Sequence, residues 1–399
     1  MTNSNSLKYS CIFGGGAVRG MAYVGIIKAL EQLQIFPETI AGSSVGAIFA
    51  GFFSLGYTAE ELRDAFMQVN YELFKDIHFG FGKSLAISKG EIFLEWIREL
   101  IEKKYYGENY KKGENKPVTF ADLDKNLIVI ATDLTNFKYK EFSKFETPEF
   151  EVAYAIRISA TMPGLMKPVE DKGVMLIDGD LQKSRPLWQL SENLCLEDSR
   201  VLEFRLEGEN EGNDLGAIDF VNTVYTCFTS IATDYVIEHY GDRDKFDYIK
   251  INTGSVVIVN FNIPQEKREE LMEVGYLQTI DYFKNLLPEK KKKILKHYKN
   301  IYKQLVRIKK SISANKIRNA RDEMGLLYME ITPSVKIIDK KYYNMIELLK
   351  DNFLSNITTA SFFGVFNLRD TKLIQTQINF VVDAFEEKIL ELESYIFGI

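Results

Sequence analysis

The chain has 399 residues, of which 46% are hydrophobic, so its length predicts two or three domains and allows a sizeable core. The net charge is −6, but Glu289–Arg321 holds thirteen Lys or Arg and one acidic residue, a local balance of +12 that leaves −18 for the remainder. Such an acidic body excludes a general nucleic-acid binder, because phosphate contact needs clustered positive charge. Three scattered cysteines, Cys11, Cys195 and Cys227, support neither a disulfide framework nor a zinc site.

The sequence shows no signal for export or for insertion into a membrane. Residues Met1–Leu7 are polar and lack the basic-then-apolar pattern of a secretory signal. No run approaches the roughly 18 apolar residues that a membrane span needs. We therefore expect a cytoplasmic protein, and leave peripheral attachment to a membrane and export without a cleaved signal open.

The first half of the chain alternates strands and helices around glycine turns. Short apolar runs predict buried strands at Tyr9–Phe13, Thr39–Ala41 and Leu127–Thr132. Apolar residues at helical spacing predict a helix from Met21 to about Gln34, and the almost wholly apolar stretch Val45–Leu55 predicts a buried helix. This order favours an α/β sheet with both faces covered.

Further elements extend this α/β domain as far as Pro288. We predict strands at Phe137–Phe142, Val174–Ile177, Val201–Phe204 and Tyr248–Ile251, helices at Phe150–Ile158, 214–240 and Gln265–Leu286, and a polar loop at Tyr105–Lys116. Beyond Pro288 the chain is Lys-rich, with apolar residues at helical steps between Ile294 and Ile312. We therefore predict one domain over residues 7–287 and a helical accessory region over 288–399.

The run Gly42-Ser43-Ser44-Val45-Gly46 has the spacing of a nucleophile elbow, between a predicted strand and a predicted buried helix. Glycines two residues either side of Ser44 avoid clashes in a tight turn, and the helix N-terminus favours negative charge beside the serine oxygen. Two Gly and a Ser at this spacing occur by chance in about one chain in ten of this size. The motif alone therefore does not establish a serine nucleophile.

A second glycine turn, Gly14-Gly15-Gly16-Ala17-Val18-Arg19-Gly20, follows the first strand and opens a helix. Its backbone amides are suited to holding an anion, as in an oxyanion hole. A dinucleotide fingerprint would require glycine where Arg19 stands, and a phosphate loop would require a Lys-Ser/Thr pair that is missing. A simple glycine turn without a ligand is the alternative.

The base that would activate Ser44 has two candidates. A Ser–Asp–His order can be written with Ser44, Asp178 and His239, although a histidine near a helix end also simply complements the helix dipole.

Asp178-Gly179 follows a buried strand, as Ser44 does, so both side chains are expected at the same edge of one parallel sheet. A carboxylate is a weak base in water, so direct proton transfer to Asp178 requires partial burial. An ordinary Asp-Gly turn is the alternative. The other histidines, His78 and His297, lie beside no motif.

These motifs together resemble the patatin-like phospholipases over roughly residues 7–287. That family combines a glycine-rich oxyanion loop, a G-x-S-x-G elbow and a D-G-G/A motif. Further segments carry the resemblance, namely Thr119-Phe120-Ala121-Asp122-Leu123, Ser159-Ala160-Thr161-Met162-Pro163, Pro186 and the helix with Gly275-Tyr276. The resemblance implies a three-layer α/β/α domain with a mostly parallel central sheet, followed by a helical C-terminal region.

The resemblance also implies roles for individual residues. Ser44 is then the nucleophile and Asp178 the general base, without a histidine. The oxyanion loop corresponds to Gly15, Gly16 and Ala17, with Arg19 fixing its geometry, and the motif positions are Gly14, Gly20, Gly42, Gly46, Gly179 and Asp180. Two residues depart from the family pattern. Ala17 replaces a glycine, which is tolerable only at negative φ. Asp180 replaces Gly or Ala, and its carboxylate is expected either to raise the pKa of Asp178 or to point to solvent.

The expected activity is hydrolysis of fatty-acyl esters of lipids by a Ser–Asp dyad, of phospholipase A or lysophospholipase type, without a metal or cofactor. A binding or adaptor protein on the same fold and a lipid transacylase are the alternatives. The basic stretch Lys290–Arg321 has an apolar stripe beside its lysines, which suits an anionic membrane surface. It also suits a solvated helix that packs its stripe on the main domain. A protein or membrane activator acting on this region would fit either arrangement.

Overall fold

The computed structural model describes residues 8–69, 88–182, 199–208, 243–255, 263–334, 337–360 and 365–397. The chain divides into two compact units. The first comprises Met1–Glu238 and Phe246–Tyr282, and the second comprises His239–Lys245 and Phe283–Ile399. The helix predicted at 214–240 and the residues His78, His239 and Pro186 lie outside the described residues.

The described part of the first unit is an α/β domain. Its strands are β1 Tyr9–Phe13, β2 Thr39–Ser43, β3 Asn126–Asp133, β4 Lys138–Ser143, β5 Val169–Asp171, β6 Val174–Asp178, β7 Arg200–Glu207 and β8 Phe246–Asn252. Its α-helices are α1 Ala22–Gln32, α2 Val45–Ser54, α3 Ala59–Gln68, α4 Glu91–Tyr106, α5 Val152–Ser159 and α6 Gln265–Asp281. Helix α3 begins at a capping box, in which Thr58 and Glu61 satisfy each other's backbone amides.

The strands form one mixed sheet in which hydrogen-bonded pairs link them as β5-β6-β3-β2-β1-β7-β8, and β4 pairs with the edge of β3 that faces away from β2 and β6. The pairs among β3, β2, β1, β7 and β8 are all parallel, while β4, β5 and β6 join by antiparallel pairs. Strands β1, β2, β3 and β7 are buried along almost their whole length without alternation, so both faces of the sheet are covered. The predicted three-layer α/β/α architecture is therefore confirmed.

Strands β2 and β6 meet end to end beside β3. Ala131 pairs with both Lys140 of β4 and Asp178 of β6, so β6 lies on the side of β3 opposite β4, where β2 also lies. Since β2 runs parallel and β6 antiparallel to β3, their carboxyl ends face each other. Ser43 pairs with Ile130 and Asp178 with the next residue, Ala131. The prediction that Ser44 and Asp178 emerge at the same edge of one parallel sheet is thus wrong in strand direction, although the two residues do lie together.

The described part of the second unit is mainly helical, as predicted. Its elements are the helices α7 Leu287–Ser313, α8 Ile317–Ser334, α9 Lys340–Asn356 and α10 Thr371–Phe397, and the hairpin of β9 Ile357–Ala360 with β10 Val365–Leu368. The hairpin has no counterpart in the sequence predictions. Pro288 lies in the first turn of α7, where a missing amide needs no partner, so this proline does not interrupt the helix.

The apolar stripe of α7 is covered inside the second unit. Its members Ile294, Leu295, Tyr298, Ile301, Leu305, Ile308 and Ile312 share one buried cluster with residues of α8, α9 and α10. The helices that cover the stripe belong to the second unit itself, so both expectations for the stripe, contact with a bilayer and packing on the main domain, are wrong. None of the described helices is both long enough and apolar enough to cross a membrane.

Candidate active site

Ser44 occupies a strained turn between β2 and α2. Its φ is +54° and ψ −132°, a conformation that non-glycine residues rarely adopt, and it is the residue immediately before α2. Gly42 and Gly46 permit the turn, because an added Cβ would lie 2.4 Å from the Gly46 carbonyl oxygen at Gly42, and 2.1 Å from the Phe13 carbonyl oxygen at Gly46. The spacing of the motif therefore reflects backbone-to-backbone contact around the serine.

Asp178 accepts a hydrogen bond from Ser44. The distance between Ser44 Oγ and Asp178 Oδ2 is 2.7 Å, and the two side chains come from residues 134 positions apart. Asp178 has no solvent-exposed surface and Ser44 is 8% exposed. The Asp180 amide donates to Asp178 Oδ1 at 2.9 Å, and the Thr132 hydroxyl donates to the Asp178 carbonyl oxygen at 2.7 Å. The Asp180 amide thus holds one carboxylate oxygen while the other is directed at the serine, and Thr132 holds the backbone of Asp178.

Ser159 holds the backbone of Ser44 in place. The Ser44 amide donates to Ser159 Oγ at 3.0 Å, and Ser159 Oγ donates to the Ile130 carbonyl oxygen at 2.5 Å. Ser159 is fully buried at the end of α5. The sequence pointed to this residue only as part of a family segment and gave it no role. Here its hydroxyl connects the elbow to the central strand β3.

The glycine loop lies beside the elbow. Its Gly14 carbonyl oxygen accepts a 2.6 Å hydrogen bond from the buried Tyr23 hydroxyl. Ala17 has φ +46°, so the expectation of negative φ at this position is wrong. An alanine there carries a steric cost that glycine would avoid, of about 1 kcal/mol. The loop geometry is therefore imposed by its surroundings and not by the intrinsic preference of the residue.

Two side chains next to the glycine loop are buried. Arg19 is 4% exposed, and burial lowers the pKa of its guanidinium. Its guanidinium packs so closely on Gly208 that a Cβ there would lie 2.8 Å from Arg19 Cζ. Asp180 is 2% exposed, so the alternative in which it points to solvent is wrong. It accepts hydrogen bonds from the Gly15 amide, at 3.2 Å, and from the Ser43 hydroxyl.

Of the residues in the candidate triad, the structure brings together only Ser44 and Asp178. His78 and His239 belong to the parts of the chain that the structure does not describe. His297 lies in α7 of the second unit. The described part of the site therefore offers a carboxylate, and not an imidazole, as the hydrogen-bond acceptor of the serine hydroxyl.

The fold and this site define the class: an α/β/α protein whose elbow serine is paired with a buried carboxylate beside a glycine-rich loop. Residues 11–190 match the family model described as patatin-like phospholipase. The resemblance to the patatin-like phospholipases is therefore confirmed for this part of the chain.

Individual relatives extend the similarity beyond residue 190. An uncharacterized protein of Acanthamoeba polyphaga mimivirus is 28% identical over 272 residues, covering 65% of this chain and 89% of the relative. The uncharacterized protein YqhO of Bacillus subtilis is 26% identical over 287 residues, covering 67% of this chain and 95% of the relative. A lysophospholipase of Kluyveromyces lactis is 23% identical over 272 residues, which span 68% of this chain but only 16% of that protein.

Among solved structures, VipD from Legionella pneumophila has a similar fold. It superposes with a TM-score of 0.53 at 16% sequence identity, covering 97% of this chain and 90% of that one. At this level of identity the similarity concerns the fold alone.

Proposed function

We propose that this protein is a lipid acyl hydrolase that cleaves fatty-acyl esters with a Ser44–Asp178 dyad. The observation that carries the proposal is the 2.7 Å hydrogen bond from Ser44 Oγ to Asp178 Oδ2 on a strained elbow. The match of residues 11–190 to patatin-like phospholipases and the similarity to a lysophospholipase support a lipid ester as the substrate. The proposed type is phospholipase A or lysophospholipase.

The first chemical step is attack by the serine oxygen on the ester carbonyl. Asp178 takes the hydroxyl proton as the bond between Ser44 Oγ and the carbonyl carbon forms. Burial makes a carboxylate a stronger base, because the charged form loses hydration, and Asp178 has no exposed surface. The orientation of Asp178 by the Asp180 amide directs the accepting oxygen at the serine.

The glycine loop would stabilise the tetrahedral intermediate. Within this turn the Arg19 amide donates a hydrogen bond to the Gly16 carbonyl oxygen, at 3.1 Å. The amides of Gly16 and Ala17 lie before this hydrogen bond in the chain and take no part in it. Preorganised donors of this kind typically contribute about 2.7–4 kcal/mol each to lowering the barrier. In the proposed mechanism they hold the developing oxyanion.

Collapse of the intermediate expels the alcohol, which takes the proton from Asp178 and leaves an acyl-Ser44 ester. Water then attacks this ester as Asp178 removes its proton, and the fatty acid leaves as Ser44 regains its hydroxyl. Transfer to an alcohol acceptor would follow the same steps, with the acceptor in place of water. The identity of the product therefore separates a hydrolase from a transacylase.

The test compares Ser44→Ala and Asp178→Asn with the unmodified full-length chain. We expect each variant to lose at least about 10³-fold in hydrolysis of phospholipids and lysophospholipids, read by mass spectrometry of the products. Ser44→Ala should also lose labelling by a fluorophosphonate probe. The matched control is Ser54→Ala, because Ser54 is a buried serine of the same segment that bonds only within its helix.

Activity retained by either dyad variant would contradict the mechanism. An unmodified protein that neither reacts with the probe nor cleaves lipid in the presence of vesicles would favour the binding-protein alternative. Fatty-acyl esters of an added alcohol, formed in place of free fatty acid, would identify a transacylase.

The C-terminal unit offers a surface for a lipid partner. The exposed cations Lys293, Lys296, Lys303, Arg307 and Lys310 follow one another at steps of three, four or seven residues, which places them in one row along α7. The row lies away from the buried stripe of the same helix. Exposed lysines and arginines are attracted to anionic lipid surfaces by about 1 kcal/mol each. We therefore propose an anionic lipid surface as partner, and the hydrolysis assay compares vesicles with and without anionic lipid.

A further inference from the structure

Asp180 is the residue at which this chain departs from the D-G-G/A pattern, and it lies at the centre of the site. Its carboxylate accepts from the Gly15 amide of the glycine loop and from the Ser43 hydroxyl of the elbow, both through Oδ1. Its own amide donates to the carboxylate of Asp178. Asp180 thus contacts the glycine loop, the elbow and the candidate base, and its partner Gly15 lies 165 residues away in the sequence.

A carboxylate this deeply buried requires a compensating charge. Arg205 of β7 contributes positive charge nearby, because its guanidinium packs against the same loop, where an added Cβ on Gly14 would be 2.4 Å from Arg205 Nη1, and its charge interacts with that of Asp180. Arg205 is itself paired with the buried Glu203, through Nε at 2.6 Å. Burial alone would lower the pKa of Arg205, but Glu203, Tyr248 and Asp180 raise it above its ordinary value. Asp180 therefore belongs to a charged cluster beneath the glycine loop.

The inward direction of the Gly15 amide changes what the loop can offer. An amide that donates to Asp180 does not at the same time point to an oxyanion above Ser44. The family pattern assigns Gly15 to the oxyanion hole, whereas in this structure the Gly15 amide donates to the Asp180 carboxylate. The amides that remain for an oxyanion are those of Gly16 and Ala17.

We propose that Asp180 is a positioning residue that fixes the glycine loop, the elbow and the base relative to one another. In this proposal the Gly15 amide holds the loop to Asp180 and does not serve as an oxyanion donor. The inference rests on the proposed function, since it assigns a role in that reaction. Asp180 does not touch the substrate. It acts through the position of Gly16, Ala17, Ser44 and Asp178, and a displacement of about 1 Å in such a site lowers rates by up to about 100-fold.

The experiment compares Asp180→Ala, Asp180→Asn and Ser43→Ala in the full-length chain, with a short-chain p-nitrophenyl ester as the probe substrate. Asp180→Ala places a family residue at this position but removes the acceptor, and we expect kcat to fall about 10- to 100-fold with KM within threefold. Asp180→Asn keeps an oxygen acceptor, so kcat should stay within about threefold of the unmodified protein. Ser43→Ala, which removes the hydrogen bond from the elbow but keeps that from Gly15, should give an intermediate loss.

A structural readout accompanies the kinetics and does not depend on activity. Hydrogen exchange of the Gly15 amide should be at least about tenfold faster in Asp180→Ala and unchanged in Asp180→Asn. The matched control is Asp133→Ala, which removes another buried aspartate of the same sheet, whose partner is the turn at Asn136. This control should lose stability but keep kcat and the slow exchange of Gly15.

Two results would overturn the proposal. One is a kcat for Asp180→Ala within twofold of the unmodified protein, and the other is a kcat for Asp180→Asn as low as that for Asp180→Ala. An unmodified protein without esterase activity contradicts the proposed function instead. In that case unchanged Gly15 exchange in Asp180→Ala overturns the anchoring role, and faster exchange supports it.

Discussion

At the residue scale, the site depends on a serine held in an unfavourable conformation by its neighbours. Positive φ at a residue with a side chain costs about 1–3 kcal/mol and persists only where the surroundings enforce it. At Ser44 the enforcing contacts are the close backbone approaches at Gly42 and Gly46 and the hydrogen bond from its amide to Ser159. Ala17, at φ +46°, is a second strained position and directly follows the three glycines of the loop.

Ser159→Ala tests how much the elbow depends on this support. The change leaves the Ser44 amide and the Ile130 carbonyl oxygen buried without their partner, so we expect a loss of about 1–3 kcal/mol in the free energy of unfolding. Activity should fall by about tenfold or more, since the nucleophile is displaced. Urea denaturation and ester hydrolysis measure the two effects. Ser143→Ala is the control, because Ser143 is an equally buried serine that binds Glu141 and Glu146 instead.

The sequence could predict which residues of the site carry the chemistry, but not how the site is supported. The spacing of Gly42, Ser44 and Gly46 and the Asp178-Gly179 pair follow from the local geometry of turns, which a short motif records. The inward direction of Asp180 goes with hydrogen bonds from Gly15 and Ser43, which lie more than 130 residues earlier in the chain. The sequence of the triplet Asp178-Gly179-Asp180 does not show whether the Asp180 side chain faces solvent or the protein interior.

At the element scale, the runs of apolar residues predicted most strands of the sheet, whereas their directions came only from the structure. Composition does not record direction, so β6 was expected to run parallel to its neighbours, and it runs antiparallel to β3. Helices α3 and α4 have no counterpart in the sequence predictions. Both have mixed polar and apolar surfaces, and only three residues of α3, Ala59, Leu62 and Phe66, are buried. Such helices give a weaker pattern than the wholly buried α2.

Gly275→Ala tests the packing of α6 on α1. A Cβ on Gly275 would lie 2.0 Å from the Ala22 carbonyl oxygen, so the two helices would have to separate. We expect a net loss of about 1–3 kcal/mol in the free energy of unfolding, even though alanine is the better helix former. The control is Gly325→Ala in α8, where an added Cβ meets nothing within 4 Å. That change should stabilise the protein by about 0.5–1 kcal/mol. Equal shifts in urea denaturation for both variants would contradict close packing at Gly275.

At the scale of the whole molecule, the path of the chain matters as much as its division into two units. The chain enters the second unit at His239–Lys245, returns to the first for Phe246–Tyr282 and then completes the second. Asp244, in the short excursion, is buried between two lysines of the second unit. Lys291 Nζ lies 2.5 Å from Asp244 Oδ1, and Lys388 Nζ lies 2.8 Å from Asp244 Oδ2.

Asp244→Asn should destabilise the protein in a pH-dependent way. Burial alone would raise the pKa of Asp244, but Lys291 and Lys388 outweigh it and hold that pKa well below the ordinary range. The folded state therefore binds the proton more weakly than the unfolded state, whose pKa is about 3.9. The stabilisation is fully present above that value and decreases as the pH falls below about 4. At pH 7 we expect Asp244→Asn to cost about 3–5 kcal/mol, because two buried ammonium groups lose their partner.

Urea denaturation at pH 7 and at pH 3 measures this dependence. The difference in free energy of unfolding between the unmodified protein and Asp244→Asn should be smaller at pH 3. Glu289→Gln is the control, because Glu289 forms an exposed pair with Lys292 and should contribute less than about 1 kcal/mol. A difference that stays constant between the two pH values would contradict the assigned role of the Asp244 carboxylate.

The position of Asp244 also sets an order of events during synthesis. Its partners follow 47 residues later, at Lys291, and 144 residues later, at Lys388. At about 5–20 residues per second, a ribosome needs roughly 7–30 s to pass from Asp244 to Lys388. Throughout this interval the carboxylate must stay hydrated, because its burial without both lysines would be costly. The buried ion pairs of Asp244 can therefore be completed only after residue 388 has been made.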